Sequence, residues 1–320
     1  GDRRAQRNLG CQVDPTLGGA SSRHSLAAAW EHIGRRSTQQ LHVYGIASSL
    51  DLYSNFTYLL DDERLGDQFN QRERRLTLGG NATHKETRNV KGVEHLVTVG
   101  MQHRLDRIDD IGLHRTRARA RTGTVRQDDV TETGTALYVE AESRWHPRLR
   151  STLGLRGDAY RFDVTSQLPA NSGRRTAAIV SPKLSLAYEA TRQSELYVSA
   201  GTGFHSNDAR GTTITVDPNT GAPATRVDPL VRSVGGEVGM RWSPANTWRT
   251  TMALWALDLD SELLFVGDGG TTEPTDGSRR AGITLANFWR PVPALALDAD
   301  LSLARARLRG VAPGEDRIPG

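Results

Sequence analysis

The sequence predicts an all-β chain that forms a membrane-spanning, antiparallel, up-and-down β-barrel. Apolar and polar residues alternate with a period of two through most of the 320 residues, and this alternation is typical of strands with one apolar and one polar face. Short and long connections also alternate along the chain, and tryptophans recur where strands reach a short connection. Short turns at one end of a sheet, long loops at the other and an aromatic girdle are typical of outer-membrane barrels.

The composition argues against several classes of protein. Hydrophobic residues make up 37% of the chain and charged residues 24%, and no stretch approaches the roughly 18 consecutive apolar residues of a spanning helix. The net charge is only +4, from 41 basic and 37 acidic side chains that are interspersed, so no nucleic-acid partner is expected. Cys11 is the single cysteine, which excludes an intrachain disulfide. A wall with one apolar and one watery face would have this composition.

About twelve strands are predicted, most of them 10–16 residues long, whereas strands commonly have about 5–6 residues. Strands this long suit a wall that crosses something thick. In chain order, they lie at 22–33, 39–54, 73–84, 92–103, 134–145, 149–164, 178–189, 195–205, 233–242, 247–263, 281–289 and 294–308.

The connections predict that one end of the sheet carries the short turns and the other end the long loops. Trp145, Trp242 and Trp289 each stand at or beside the last strand residue before a short turn, and Trp248 follows one closely. Amphipathic rings at one level of the wall would form an interfacial girdle, although tryptophans can also cap the core of a soluble sheet. The predicted short turns lie at 35–37, 86–91, 146–148, 191–193, 243–246 and 290–292, and the long loops at 57–71, 104–132, 165–176, 206–231 and 266–280.

The period-two pattern also assigns side chains to faces. Charges cost little in a watery lumen, whereas a charge on the lipid face is expensive. Eight apolar side chains should therefore face lipid: Leu153, Leu155, Leu184, Leu186, Val198, Leu257, Leu297 and Leu301. Six charged side chains should face the lumen: Arg156, Asp158, Lys183, Glu237, Asp258 and Asp298.

Strand directions predict that the barrel is incomplete. Counted from the short turns, the first strand runs toward the short-turn side and the last runs away from it, so both ends of the chain would be extracellular. A complete bacterial barrel normally begins and ends on the periplasmic side. The expectation is an open, curved sheet or a barrel with a seam, with residues near 22–33 and 294–308 at the two edges. The alternative is a self-contained twelve-strand barrel with an unusual orientation.

Three segments carry a resemblance to a known family. "VSPKLSLAYEATRQSELYVSAGTGFHSNDARGTT", "LWALDLDSELLFVGD" and "NFWRPVPALALDADLSLARAR" resemble the barrel of TonB-dependent outer-membrane receptors. The resemblance covers most of the chain from about residue 22. It implies that 1–320 is part of a 22-stranded barrel domain, with a plug domain and the terminal strands outside this sequence. It also implies contact with the TonB complex through that plug.

The segment "GFHSNDARG" contains the candidate ligand-binding residues His205, Asn207, Asp208 and Arg210, at the mouth of a long loop. Converging polar side chains suit a vestibule for a polar solute, but Asn and Asp also stabilise turns through their own side chains. No metal site is predicted, because His205 and Asp208 fit no closed ligand motif.

Two further charged segments allow more than one interpretation. In "HRTRARARTGTVR", four arginines at spacing two form either a patch for anionic ligands or lipopolysaccharide phosphates, or a solvated strand extension. These are Arg115, Arg117, Arg119 and Arg121. In "LDLDSELLF", Asp258, Asp260 and Glu262 share a face, where they could do acid–base work or simply be solvated lumenal charge.

The leading functional hypothesis is energy-coupled uptake of a scarce solute, such as a metal chelate or siderophore, across the outer membrane of a Gram-negative bacterium. The partners would be lipid, lipopolysaccharide, the TonB complex and a small ligand. The rival is an ungated or remnant barrel with a structural, adhesive or passive-pore role, and a third class is a soluble all-β binding protein. No catalytic constellation and no cofactor are expected, so the chain is predicted not to be an enzyme.

Overall fold

The computed structural model contains one twelve-stranded antiparallel sheet. It describes residues 14–57, 59, 60, 63, 66–266, 271–311 and 316, with the backbone alone for 262–266 and 271–275. The strands are β1 Gly18–Ile33, β2 Ser37–Ser54, β3 Phe69–Val90, β4 Val93–Arg117, β5 Ala120–His146, β6 Leu149–Ser166, β7 Gly173–Thr191, β8 Ser194–Ser206, β9 Leu230–Ala245, β10 Trp248–Val266, β11 Thr271–Val292 and β12 Leu295–Leu308. A helical turn α1, Ala209–Thr213, and a 3₁₀ turn, Pro169–Asn171, complete the elements.

The sheet has the predicted up-and-down order. Each strand pairs with its neighbours in sequence, from β1 to β12, and every pairing is antiparallel. β1 and β12 are the two edges and are not paired with each other. The expectation of an open sheet is therefore confirmed. No helix in the described part of the chain is long and apolar enough to cross a membrane.

One predicted long loop is instead a strand hairpin. Residues 104–132 belong almost entirely to β4 and β5, which meet at a two-residue tip. At that tip, Ala118 and Arg119 both have positive φ, 50° and 67°, as the twist of a tight hairpin requires. The basic residues of this segment therefore lie on both sides of a hairpin, and Arg119 donates hydrogen bonds to the carbonyls of Thr16 and Leu17. Likewise, β11 already begins at Thr271, inside the predicted loop 266–280.

Ladder register divides the side chains between an apolar face and a polar face. Leu155 pairs with Val139 on one side and Pro182 on the other, and directly paired residues share a face. Of the eight predicted lipid-facing residues, seven lie exposed on this apolar face. They are Leu153, Leu155, Leu184, Leu186, Val198, Leu297 and Leu301.

The assignment of Leu257 and Asp258 is wrong. Leu254 pairs with Val238 and Asp258 with Val234, so Asp258 shares the apolar-face register and Leu257 lies on the polar face. The sequence misleads because apolar residues change phase within this strand, from Met252, Leu254 and Ala256 to Leu257 and Leu259. Asp258 lies beyond the apolar band and is compensated by Arg279 at 2.9 Å and Arg309 at 2.7 Å. The side chain of Glu262, the third acidic residue of that segment, lies outside the described residues.

The tryptophans lie beside the short turns on the apolar face. Trp248 pairs with Trp289 across the ladder, and their rings are 5.9 Å apart. The Trp242 ring lies 5.2 Å from Trp248, and Trp145 is exposed at the end of β5. The rings thus occupy one level of the wall, as the girdle interpretation requires.

A small core forms on the polar face because the β8–β9 connection folds back over it. Phe162 and Val164 of β6 pack with Ile108 and Val130, and Ala209 of α1 covers them. Phe162 is 0% exposed. The wall of β4–β6 and the loop residues 207–229 therefore form one packed unit.

Candidate functional site

A recess of about 620 Å³ opens on the polar face of β2–β6, immediately beside the folded loop. Charged and aromatic side chains line it, and Ser206, at the end of β8, lies on its rim. The lining side chains that carry chemistry are His42, Tyr44, Arg75, Asn81, Gln102, Arg104, Asp106, Glu132, Arg156, Asp158 and Tyr160.

Two of the carboxylates in the recess are held by arginines two residues away on the same strand. Arg104 contacts Asp106 at 2.5 Å, and Arg156 contacts Asp158 at 2.8 Å. Residues two apart on a strand point to the same face, so each Arg-x-Asp triplet forms a local ion pair. Thr77 adds a hydrogen bond of 2.6 Å to Asp106. These pairs fix the orientation of both guanidinium groups toward the recess.

Tyrosine rings lie flat on the polar face because their cross-strand partners are glycines. Tyr160 pairs with Gly134, and a Cβ at Gly134 would lie 2.9 Å from the ring. The pairs Tyr44–Gly79 and Tyr138–Gly100 repeat this arrangement. The absent Cβ leaves room for each ring against the backbone, which is the arrangement of aromatic rescue. The wall of the recess is thus smooth and partly aromatic.

The four predicted site residues lie at the base of the folded loop but do not converge on one point. His205 lies on β8 opposite Val231. Asn207 is buried, and its amide nitrogen donates to the Asp228 carbonyl at 2.6 Å, which closes the base of the loop. Asp208 and Arg210 do meet, at 2.6 Å.

Asp208 also begins α1, where its carboxylate accepts a hydrogen bond from the Arg210 backbone at 2.8 Å. Burial raises the pKa of Asp208, but the Arg210 guanidinium has the larger combined effect and holds this pKa below its ordinary value. Conversely, burial lowers the pKa of Arg210, and the Asp208 carboxylate raises it above its ordinary value. Asp128 on β5 and Glu73 on β3 also attract Arg210, so electrostatics tie the loop to the wall.

Asn171 joins two long connections at the same end of the sheet. It is 1% exposed, and its amide oxygen accepts hydrogen bonds of 2.9 Å from the backbone nitrogens of Thr215 and Val216. Its amide nitrogen donates to the Val216 carbonyl at 2.8 Å. The Thr215 hydroxyl donates to the same oxygen at 3.4 Å, so one side chain supplies the β6–β7 turn with four bonds to the β8–β9 loop.

Sequence reasoning assigned Arg156 and Asp158 to the lumen but missed the recess. The available signal was the Arg-x-Asp triplet, which occurs five times within the strands, at 104–106, 107–109, 126–128, 156–158 and 161–163, and once in the β8–β9 loop, at 226–228. All five strand triplets form ion pairs. What the sequence did not reveal is which triplets are neighbours on the same face, since this depends on ladder register.

The arrangement offers no metal centre. Within the described residues, no group of three or more His, Cys, Asp or Glu side chains is placed to hold a metal ion. The recess can instead bind a polar solute through paired arginines, carboxylates, amides and aromatic faces.

Comparison with known protein families identifies the family to which this chain belongs. The sequence model described as "TonB dependent receptor-like, beta-barrel" matches residues 3–319. The chain belongs to this family. Its members are outer-membrane transport receptors of Gram-negative bacteria, in which the apolar face of the barrel meets lipid and the polar face lines the lumen. The two faces of this TonB-dependent receptor barrel are accordingly named the lipid face and the lumenal face.

Solved structures agree with the fold at low sequence identity. The unliganded ferric citrate transporter FecA matches with a TM-score of 0.71 and 13% identity, covering 93% of this chain and 44% of FecA. The ferric preacinetobactin receptor BauA of Acinetobacter baumannii has a TM-score of 0.71 and 12% identity, covering 92% and 46%. The ferric yersiniabactin receptor FyuA of Yersinia pestis has a TM-score of 0.66 and 14% identity, covering 91% and 44%.

The chain therefore spans less than half the length of these receptors. No curated protein matches its sequence significantly. The open sheet is what a partial barrel of this family would be.

Proposed function

We propose that the chain is the barrel region of a receptor that takes up a scarce solute, such as a metal chelate or siderophore, across the outer membrane. The energy would come from the TonB complex, through a plug region outside this sequence. The observation that supports this most is the polar recess on the lumenal wall of a barrel from a transport-receptor family. The three similar proteins named above are a transporter or receptors for ferric citrate, ferric preacinetobactin and ferric yersiniabactin.

Solute would enter past the base of the β8–β9 loop. Asp208 and Arg210 form an ion pair beside the recess, and Ser206 connects them to its rim. We propose that Asp208, Arg210, His205 and Asn207 form the vestibule through which a polar solute reaches the recess. The two ionic residues would contact it, and Asn207 would hold the loop base in shape.

Lipid and lipopolysaccharide are the proposed partners of the outer surface. Arg107, Arg161 and Arg174 share the register of the lipid face but lie on the extracellular side of the apolar band. Arginines placed there can attract lipid-head-group phosphates. Each also has a nearby aspartate, Asp109 or Asp163, which moderates the positive field.

The rival function is that of a passive pore or a purely structural barrel. Dependence on energy coupling distinguishes the proposed uptake from this rival. The gene, in its complete reading frame, is expressed in a host that lacks its own ferric receptors, with and without functional TonB. Uptake of radiolabelled iron is measured with ferric citrate and with catecholate and hydroxamate chelates. We expect uptake of at least one chelate that disappears without TonB. Uptake that is equal in both hosts, or absent for every solute tested, contradicts the proposal.

A further inference from the structure

The ion pairs of the recess leave one carboxylate unmatched. Arg104 and Arg156 compensate Asp106 and Asp158. Arg75 contacts Glu73 at 2.8 Å and lies 3.9 Å from Asp106. Glu132 lines the same recess, yet it makes no hydrogen bond and no ion pair with any residue that the structure describes.

The position of Glu132 makes an uncompensated negative charge there unfavourable for the stability of the sheet. Glu132 faces Asp106 directly across the β4–β5 ladder, and its neighbour on β6 is the apolar Phe162. Like charges directly opposite each other on adjacent strands destabilise a sheet. A cationic group in front of Glu132 would relieve this repulsion, and the recess has room for one because it opens at that point.

The surroundings favour an organic cation over a metal ion. A metal ion needs several ligands, but the neighbouring carboxylates are already bound by arginines, and no ligand cluster exists among the described residues. The aromatic wall suits a nitrogen cation, because Tyr44 and Tyr160 line the same recess. A planar guanidinium or an ammonium can donate hydrogen bonds to a free carboxylate.

We infer that Glu132 is the recognition carboxylate for an ammonium or guanidinium group carried by the transported solute. This inference rests on the proposed uptake function and adds the chemical class of the solute to it. Arg104 and Arg156 flank the site and would hold anionic or carbonyl oxygens of the same molecule. The solute would therefore carry both a cationic nitrogen group and oxygen acceptors.

Binding is tested without energy coupling, so that its failure is distinct from a failure of uptake. The full chain in detergent micelles is titrated calorimetrically with phenylguanidinium, benzylammonium and the neutral analogue phenylurea. We expect both cations to bind and phenylurea to bind at least about tenfold more weakly, since hydrogen bonds to a charged group are the stronger ones. Glu132→Gln should weaken cation binding by at least about tenfold.

Glu140→Gln is the matched control. Glu140 lies on the same strand and the same face, but Lys183 already pairs with it, so this variant should bind the cations as the wild type does. Far-UV circular dichroism confirms that each variant is folded. Because Glu132→Gln removes a repulsion with Asp106, it should also unfold at the same or a higher denaturant concentration than the wild type.

Three results would overturn the inference. One is equal cation affinity in the wild type and Glu132→Gln, and another is equal affinity for phenylguanidinium and phenylurea. The third is cation binding to the chain that vanishes in the complete receptor. In that case the missing positive charge would belong to another segment of the protein and not to a solute.

Discussion

The lumenal face has two regions that differ in how they are covered. The covered sector is the wall of β4–β7 beneath loop residues 207–229, and the open sector is the wall of β10–β12. In the covered sector, Phe162 and Val164 are 0% and 2% exposed. Among the described side chains of the open sector, Ala253 is the buried apolar one, at 7%. Both walls are built from the same alternating strands.

This difference shows that side chains on the lumenal face are buried by the loop that covers them and not by the strands of the wall. A single sheet leaves both faces accessible until another element packs on it. The β8–β9 loop is long enough to fold back over the wall, and Asn171 and the pair of Asp208 and Arg210 hold it there. The covered sector should consequently respond to mutation like a protein core, and the open sector like a surface.

The largest contrast is expected from removing one phenylalanine in each sector. Phe162→Ala leaves a cavity under α1 and should destabilise the chain by about 3–5 kcal/mol, the usual cost in a core. Phe288→Ala, on the half-buried lumenal face of β11, should cost well below that. Unfolding in urea, followed by tryptophan fluorescence in detergent, gives both values. The contrast between the sectors is refuted if the two variants lose the same stability.

The same pair of variants reports on the loop. With Phe162 removed, α1 loses its support, so trypsin should cut more rapidly after Arg226, which lies exposed in the loop. Phe288→Ala should leave this rate at the wild-type value. Unchanged cleavage in Phe162→Ala would mean that the loop is held by its polar contacts alone.

A second pair of variants compares the stability cost of replacing a glycine beneath an aromatic ring in each sector. Gly134 lies beneath Tyr160 in the covered sector, and Gly282 lies beneath Trp255 in the open sector, where a Cβ would come within 2.6 Å of both the ring and the Leu303 carbonyl oxygen. Alanine at either position should cost about 1–3 kcal/mol because the ring must move, and Gly282 should cost the more because the Leu303 backbone is also crowded. Alanine at Gly157, which has open space around its Cβ position on the lipid face, is the control and should cost little. A larger cost at Gly134 than at Gly282 would show that cover also matters to the wall itself.

Most of the wall could be predicted from the sequence because its determinants are local. Period two in the side chains is a property of any extended strand, so the twelve strands and seven of the eight lipid-facing residues could be read directly. The prediction failed at Leu257 and Asp258, where two apolar phases overlap and ladder register with Val234 decides between them. It also failed at 104–132, where a polar stretch continues as strand beyond the apolar band.

The site was less accessible to sequence reasoning because it depends on contacts across strands and loops. Arg75, Arg104, Glu132 and Arg156 come from four different strands, and register alone brings them to one recess. The sequence predicted that the candidate segment 203–211 lies at the mouth of a long loop, but neither the neighbouring recess nor the individual contacts of these residues could be predicted. Nothing in the sequence near Asn171 indicates that it holds a loop more than 40 residues away.

A third and smaller effect is expected from the contact that Asn171 makes in the covered sector. Asn171→Asp keeps an acceptor for the Thr215 and Val216 amides but cannot donate to the Val216 carbonyl. Losing one buried bond should cost about 1–3 kcal/mol, and Asn171→Ala should cost more because it also leaves two amides without their acceptor. Hydrogen exchange of the Val216 amide measures both. Equal protection in the two variants would show that the accepted bonds contribute nothing.

The smallest effect is expected from the ion pair of Asp208 and Arg210, which are 36% and 20% exposed in their side chains. Partly exposed pairs contribute about 0.2–1 kcal/mol to stability. The Val227 amide, which donates a hydrogen bond to the Gly211 carbonyl, reports on the loop through its hydrogen exchange. At neutral pH, Asp208→Asn should reduce the protection of this amide only a few-fold. The pKa of Asp208 in the folded chain lies below its ordinary value of 3.8. Its contribution is therefore complete above that value and is lost as the pH falls through the lowered pKa. At still lower pH, the wild type and Asp208→Asn should exchange at the same rate. A difference that persists there would mean that the substitution does not act through the charge of the carboxylate, since Asn and a neutral carboxyl both keep an acceptor for the Arg210 backbone.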